Sequence, residues 1–260
     1  MQQPLLEFKN VEISYDGEPM VRGINLTMQP GEILGIVGES GSGKSTLIKA
    51  AMGLLGPDGL VNRGEIVYKG KPVLDLDDEA LRMLRGPEMG MIFQNCGSAL
   101  CPIRTIGEQL YETMAEHGVS DRQLVQEKAT ALFNKIHLRD AERILNSYPF
   151  ELSGGMNQRV GIVMAMLLEP ELLFADEPTS ALDVTVQAQV VREMMTMREA
   201  FGTGIVVVTH NIGVVSFMAD TVAVMCKGKL VEYGKAREVI DHPQQDYTRQ
   251  LIAAMPRIKR

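Results

Sequence analysis

Residues 38–45 combine the residue types that proteins use to bind phosphate. Their sequence, GESGSGKS, has the spacing G-x-x-x-x-G-K-[ST]. Glycines let backbone amides approach phosphate oxygens, and the N-terminus of a following helix adds positive potential. Lys44 would neutralise charge on the β- and γ-phosphates, and Ser45 would bind Mg²⁺. The candidate phosphate-binding residues are Gly38, Ser40, Gly41, Ser42, Gly43, Lys44, Ser45 and Thr46.

The flanking residues predict the structural setting that this chemistry needs. An apolar strand is predicted to end at Val37, and a helix is predicted from Ser45. A Gly/Ser turn that contains a lysine by chance would not need this setting. The context therefore favours a phosphate loop, the name used below for residues 38–45.

Two carboxylates follow a second apolar run, residues 172–175. Asp176 could hold Mg²⁺ through water, and Glu177 could polarise the water that attacks a γ-phosphate. Acidic residues before a proline also begin ordinary loops. The pair therefore predicts a nucleotide site only together with the phosphate loop.

Residues 152–159, LSGGMNQR, offer a second anion site at the start of a predicted helix. Ser153 supplies a hydroxyl, while Gly154 and Gly155 expose backbone amides. An ordinary N-cap turn would use the same residues, so this alternative stays open.

This segment resembles the signature of the ATP-binding cassette (ABC) ATPases, and we call it the signature segment. Other residues fall in the family's order along the chain. By this resemblance Tyr15 would stack on adenine, and Gln94 would reach Mg²⁺ or the attacking water. Asp183 would lie in the family's D-loop, and His210 would contact the γ-phosphate. From the residues alone, Tyr15 could instead be a strand-surface residue and His210 a structural histidine.

The resemblance assigns roles and ligands to these positions. The candidate catalytic residues are Glu177, His210 and Gln94, and the candidate Mg²⁺ ligands are Ser45, Gln94 and Asp176. The candidate nucleotide-binding residues outside the phosphate loop are Tyr15, Ser153, Gly154, Gly155 and Asp183. The implied ligands are ATP and Mg²⁺.

The order of apolar and helical segments predicts an α/β fold. Strands are predicted at 5–13, 23–28, 32–37, 172–175 and 205–209, and helices at 45–54, 121–138 and 154–169. Short apolar strands that alternate with helices are typical of a sheet covered on both faces, which favours parallel pairing.

The resemblance implies a P-loop nucleotidase core with a mainly parallel sheet, an antiparallel β edge region and an inserted helical subdomain. The chain, 1–260, would be one ABC ATPase domain. Residues 1–76 and 156–225 would form the core, 77–155 the helical subdomain with the signature segment, and 226–260 a tail packed on the core.

The resemblance also implies a head-to-tail dimer that encloses two ATP molecules. The phosphate loop of one subunit would face residues 153–155 of the other. Neither subunit alone would then form a complete site.

Within the family, the strongest likeness is to the ATP-binding subunits of dipeptide, oligopeptide and nickel importers. It is carried by residues 147–156 and 175–189 and by the tail pairs His242-Pro243 and Tyr247-Thr248. Residues 95–102, NCGSALCP, depart from the family's usual sequence after the glutamine, which affects the expected fit to a permease.

The positions of the cysteines bear on the type of subunit and on metal binding. The chain stops at Arg260 without the cysteine-bearing C-terminal extension of longer peptide-importer subunits, so a short form is expected. Cys96 and Cys101 lack the nearby thiol or imidazole ligands that a tetrahedral metal site needs. We therefore expect free thiols there.

Composition excludes several classes of function. With 26 Lys and Arg against 33 Asp and Glu, the net charge of −7 argues against a protein held to nucleic acid by charge. Three cysteines cannot all pair, which favours a reducing compartment. No secretion signal is expected, and apolar stretches such as 160–168 fall short of the ~20 residues that span a bilayer. We expect a peripheral protein on the cytoplasmic face of the membrane.

The leading hypothesis is an ATPase subunit that powers import of peptides, nickel or a metallophore. Its partners would be transmembrane permease subunits, a second ABC subunit, identical or related, and, indirectly, an extracytoplasmic binding protein. The alternative is a soluble ABC ATPase that serves a multi-enzyme complex such as one for phosphonate breakdown. The sequence leaves the cargo open, because cargo selection belongs to the partners.

Overall fold

A computed structural model describes residues 3–180 and 182–254. Its strands are β1 Leu6–Tyr15, β2 Glu18–Met28, β3 Ile33–Val37, β4 Gly59–Tyr68, β5 Lys71–Pro72, β6 Met89–Ile92, β7 Leu172–Asp176, β8 Gly204–Thr209, β9 Thr221–Cys226 and β10 Lys229–Lys235. Its helices are α1 Lys44–Ala51, α2 Asp78–Leu84, α3 Cys96–Ala99, α4 Ile106–Ala115, α5 Arg122–Lys135, α6 Ala141–Asn146, α7 Gly154–Met166, α8 Val184–Phe201, α9 Ile212–Met218, α10 Ala236–Asp241 and α11 Asp246–Ala253, with a 3-10 turn at Pro149–Glu151.

The chain divides into two compact units, residues 3–81 with 204–254 and residues 82–203. The subdomain limits predicted from the sequence remain a prediction, and the last six residues of the predicted tail lie outside the described residues. No helix within the described ranges is both long and apolar enough to cross a bilayer.

The first unit contains the predicted antiparallel region. Its strands are ordered β2-β1-β4-β5, with Leu6 paired to Met28 on one side and to Tyr68 on the other. The first hairpin turns at Asp16 and Gly17, which both have positive φ. Alternate residues of β1 are buried, the pattern of a strand with one face on a core.

The first unit also contains parallel strands. β3 lies between β8 and β9 and is parallel to both, while β10 pairs antiparallel with β9. All residues of β3 and β8 are buried. The apolar runs that predicted strands covered on both faces are confirmed here, since α9 packs on β3 and α1 on β8.

The second unit is largely helical around a parallel pair of strands. Met89 of β6 pairs with Leu172 of β7. Helix α4 packs on α5, α6 and α7, with Phe133 of α5 fully buried. Asp121 caps α5 by accepting hydrogen bonds from the Gln123 and Leu124 amides, at the predicted start of that helix.

Strand β6 was missed by the sequence reading, which expected helices between Asp77 and Tyr148. Its sequence, MGMI, is too short to show alternation, and methionine and glycine are not strand formers. Only pairing with β7 makes this segment a strand, and that pairing spans about 80 residues of sequence.

Candidate functional site

The phosphate loop joins β3 to α1, as predicted. Helix α1 begins at Lys44, and its N-cap is Gly43 with φ of 92°. This left-handed conformation is readily adopted only by glycine. Because Gly43 has no side chain to cap the helix, an anion can occupy the helix N-terminus.

The Lys44 ammonium is buried within the loop that it closes. Lys44 is 5% exposed, and its Nζ donates hydrogen bonds to the carbonyl oxygens of Gly38 and Glu39, both at 2.8 Å. These bonds fix the cation inside the loop, where it can bind phosphate oxygens.

The first glycine of the motif is required by close packing. A Cβ on Gly38 would lie 2.1 Å from the Met225 carbonyl oxygen at the end of β9. Any other residue would push the loop away from this strand. The glycine therefore places the phosphate loop directly against the sheet.

The structure brings His210 to the same sheet edge as the phosphate loop. Val37 and Thr209 are partners in the parallel pair β3 and β8, so Gly38 and His210 follow neighbouring strand ends. His210 is exposed. In parallel sheets, ligands bind beyond the carboxyl ends of strands, which is where both residues lie. Tyr15 ends β1 in the antiparallel sheet and is half-buried.

In the second unit, Gln94 and the two carboxylates also follow neighbouring strand ends. Ile92 of β6 pairs with Ala175 of β7. Asp176 is 7% exposed, Glu177 is half-buried, and Gln94 is exposed. The structure thus brings these three predicted residues to one edge of the β6–β7 pair.

Ser153 and Asp183 both cap helices. Ser153 is the N-cap of α7, and its Oγ accepts the Met156 N–H at 3.3 Å. The cap turn that the sequence left open is therefore present, with Ser153 and Gly154 exposed to solvent. Asp183 is the N-cap of α8, where it accepts hydrogen bonds from two backbone amides. Ala181, within the predicted D-loop, lies outside the described residues.

Comparison with known proteins decides the family. A model of the ABC transporter family matches residues 21–180. The chain belongs to the ABC transporter family. It is 42% identical to the oligopeptide transport ATP-binding protein OppD of Bacillus subtilis, over 98% of this chain and 73% of that one. It is 40% identical to the dipeptide transport ATP-binding protein DppD of Lactococcus lactis subsp. cremoris, over 99% of this chain and 75% of that one.

Solved structures agree with this assignment. The cbiO1 protein of Clostridium perfringens, part of the ABC transporter complex cbiONQ, matches with a TM-score of 0.81 at 25% identity, over 99% of this chain and 98% of that one. The dimeric cassette MJ0796 bound to ADP and Pi matches with a TM-score of 0.77 at 29% identity, over 89% of this chain and 99% of that one. The chain is therefore an ABC ATPase, and the predicted recognition and fold class are confirmed.

The ABC ATPase also contains a buried charge pair that the sequence reading missed. Arg159, in the signature segment, donates from Nη2 to the Ile136 carbonyl oxygen at 2.6 Å. Its Nε lies 2.7 Å from Oε1 of Glu193 on α8, as a buried ion pair. Both side chains are almost fully buried, so each charge faces the other rather than water. The residues are 34 apart, and no motif links them.

The pair makes the stability of the ABC ATPase depend on pH. Burial raises the pKa of Glu193 from 4.5 to about 7, although Arg159 acts to lower it. The folded protein then binds more protons than the unfolded chain between these two pH values. We expect the free energy of unfolding to fall by on the order of 2 kcal/mol as pH rises through this window.

Denaturant unfolding at pH 4.5 and pH 7 measures this effect. The Glu193→Gln variant has no carboxyl to titrate, so its free energy of unfolding should change less over the same window than that of the unsubstituted protein. Equal changes in the two proteins would show that Glu193 does not titrate in this range.

The unusual residues after Gln94 form a short helix that packs on α7. Asn95 caps α3 by accepting the Ser98 N–H. The Gln109 side chain stabilises the segment after α3. It accepts a hydrogen bond from the Cys101 N–H and donates one to the Cys101 carbonyl oxygen. The departure from the family sequence therefore has a defined structure.

The three cysteines form no disulfide bonds. Burial raises the pKa of Cys96 to about 11, which disfavours the thiolate that binds metals. Cys101 and Cys226 are also free. Over the described ranges, no group of three or more His, Cys, Asp or Glu side chains could hold a metal ion.

Proposed function

We propose that this ABC ATPase hydrolyses ATP to power import of peptides through a separate transmembrane permease. The observation that carries the proposal is the identity of about 40% to peptide-transport ATP-binding proteins over almost the whole chain. The phosphate loop, with its buried lysine, supplies the chemistry.

Each predicted site residue receives a role in this proposal. The phosphate loop binds the triphosphate, with Lys44 against the β- and γ-phosphates. Tyr15 stacks on adenine, and His210 contacts the γ-phosphate. Glu177 polarises the attacking water, so it is the general base.

The oxygen donors of Ser45, Gln94 and Asp176 would hold Mg²⁺. A hydroxyl, an amide and a carboxylate are hard oxygen ligands, the type that Mg²⁺ prefers. The ion would neutralise charge that develops on the phosphates during transfer.

We propose that a second cassette completes each site. Ser153, Gly154 and Gly155 of that subunit would contact the γ-phosphate, and Asp183 would lie at the same interface. The dimeric form of the similar MJ0796 cassette supports this arrangement. Binding of ATP would close the dimer, and hydrolysis would reopen it. The second subunit is either a copy of this chain or a related cassette.

The names of the same relatives support the proposed cargo, and the proposed permease partner implies the location. Peptides are favoured over nickel, because the similar proteins are named for oligopeptide and dipeptide transport. An extracytoplasmic binding protein would deliver the peptide, and the ATPase would lie at the cytoplasmic face of the membrane. The same names favour a transporter over a phosphonate-degrading complex.

Uptake measurements in cells that lack this chain test the proposal. Uptake of radiolabelled di- to pentapeptides should fall to background, because the permease loses its source of energy. The unsubstituted chain should restore it, and the Glu177→Gln variant should not.

Two further measurements separate the alternatives. Uptake of ⁶³Ni²⁺ should be unchanged; loss of nickel uptake with intact peptide uptake would reassign the cargo. If neither uptake changes and the tagged chain purifies with a water-soluble enzyme complex, the transporter assignment is wrong.

A further inference from the structure

A tyrosine near the end of the described chain contacts the phosphate loop. Tyr247 lies in the first turn of α11, and its hydroxyl oxygen accepts the Glu39 N–H at 3.1 Å. The two residues are 208 positions apart, and both belong to the first compact unit. The contact is therefore a tertiary contact, which forms only in the folded chain.

The Glu39 N–H and the Gly38 carbonyl belong to one peptide group. The described chain has no cis peptide bond, so the N–H and C=O of this group point in opposite directions. Tyr247 binds the N–H, and Lys44 Nζ binds the Gly38 carbonyl oxygen at 2.8 Å. One peptide plane at the start of the phosphate loop is thus held from both sides.

The tyrosine is itself held in place. The Gln244 and Gln245 amides, just before α11, donate to the Glu232 carboxylate at 2.7 and 3.2 Å. Thr248, next to Tyr247, is fully buried. Rotation of α11 would break these contacts, so the hydroxyl has a fixed position.

The end of β9 lies next to both Tyr247 and the phosphate loop. The Cys226 side chain, at the end of β9, lies beside the Tyr247 side chain, and the two groups interact electrostatically. The preceding residue, Met225, packs its carbonyl oxygen against Gly38. The tyrosine, the strand end and the loop therefore form one contiguous contact.

We propose that Tyr247 is a positioning residue for the phosphate loop. Its hydroxyl fixes the Gly38–Glu39 peptide so that the Gly38 carbonyl faces Lys44, and the loop is ordered before nucleotide arrives. Without this hydrogen bond the Gly38–Glu39 peptide can rotate. Nucleotide binding would then have to order this peptide, which lowers the affinity for nucleotide. The inference rests on the proposed role of the phosphate loop.

The Tyr247→Phe variant tests the proposal, because it removes only the hydroxyl oxygen. The dissociation constant for MgADP, measured by calorimetry on the full chain, should rise about three- to tenfold, the range for one lost hydrogen bond. The KM for ATP should rise by a similar factor, while kcat stays within about twofold. A residue that only stabilised the fold would not produce this combination of a raised KM and an unchanged kcat.

Tyr233→Phe is the matched control. The Tyr233 hydroxyl likewise makes one hydrogen bond within the first unit, but it donates, to the Thr27 carbonyl oxygen of β2 at 2.7 Å. This variant should bind MgADP as the unsubstituted protein does. Hydrogen exchange of the Glu39 amide gives a second measurement, and it should be faster in Tyr247→Phe and unchanged in Tyr233→Phe.

The outcomes separate this inference from the proposed function. Unchanged MgADP affinity in Tyr247→Phe, or equal weakening in Tyr233→Phe, would overturn the positioning role alone. Failure of the unsubstituted chain to bind MgADP would overturn the proposed role of the loop, and this inference with it.

Discussion

Replacement of Lys44 by alanine is expected to weaken nucleotide binding about 10- to 100-fold and to abolish measurable ATP hydrolysis. The ammonium is buried in the phosphate loop and fixed by two carbonyl oxygens. Hydrogen bonds to charged groups are worth roughly 1.5–3 kcal/mol, which sets the loss of affinity. Charge that develops on the phosphates during transfer would also lose its stabilising partner. Calorimetry with MgADP and a phosphate-release assay measure the two effects.

Lys49→Ala is the control for this substitution. Lys49 lies on the same helix, in the last turn of α1, so its loss removes an equal charge away from the phosphate loop. Lys49 is half-buried and lies at the other end of the helix, so nucleotide affinity and turnover should stay within about twofold of the unsubstituted protein. Equal affinity in the Lys44→Ala and Lys49→Ala variants would show that Lys44 does not bind phosphate.

The phosphate loop could be predicted from sequence because its determinants are local. A strand, a glycine-rich loop and a helix start occupy less than 20 consecutive residues, and the glycine positions follow from backbone geometry. The structure adds the reason for glycine at position 38, which is its close contact with Met225. Local pattern and tertiary packing agree here, so the motif alone was sufficient.

Features that depend on distant residues could not be predicted. The Arg159–Glu193 pair and the Glu39–Tyr247 hydrogen bond each join segments that no periodicity relates. The tail pair Tyr247-Thr248 stood out as typical of one group of cassettes, but nothing in the sequence showed what it contacts. Strand β6 formed for a similar reason, since its partner strand decides its conformation.

The conformation of Glu177 was also invisible in the sequence. Its φ is 48°, in the left-handed region that residues with a side chain seldom adopt. Such strain is found most often at functional sites, where the surrounding structure holds the residue. Exposed Glu169 shares this conformation, so the backbone alone does not assign a role to Glu177. Its place directly after buried Asp176, at the end of β7, is what favours a role in chemistry.

Glu177→Gln is expected to retain ATP and to lower kcat at least about 100-fold. The amide has nearly the same shape, so the left-handed backbone is kept, but it cannot accept a proton from the attacking water. General-base catalysis contributes about 10²- to 10⁴-fold, which sets the expected loss. Equilibrium binding of ATP and single-turnover hydrolysis, with the permease present if the chain alone is inactive, measure the two quantities.

Glu169→Gln is the matched control, because it makes the same carboxylate-to-amide change at a second glutamate. Glu169 also has positive φ, at 55°, in the same unit, but its side chain is exposed and pairs with Lys128 at 3.3 Å. This variant should hydrolyse ATP at the unsubstituted rate, because a surface ion pair contributes little. If Glu177→Gln also keeps full turnover, another group polarises the water. If Glu169→Gln loses turnover as Glu177→Gln does, the loss is not specific to the carboxylate at position 177, and the assignment of Glu177 as the general base is wrong.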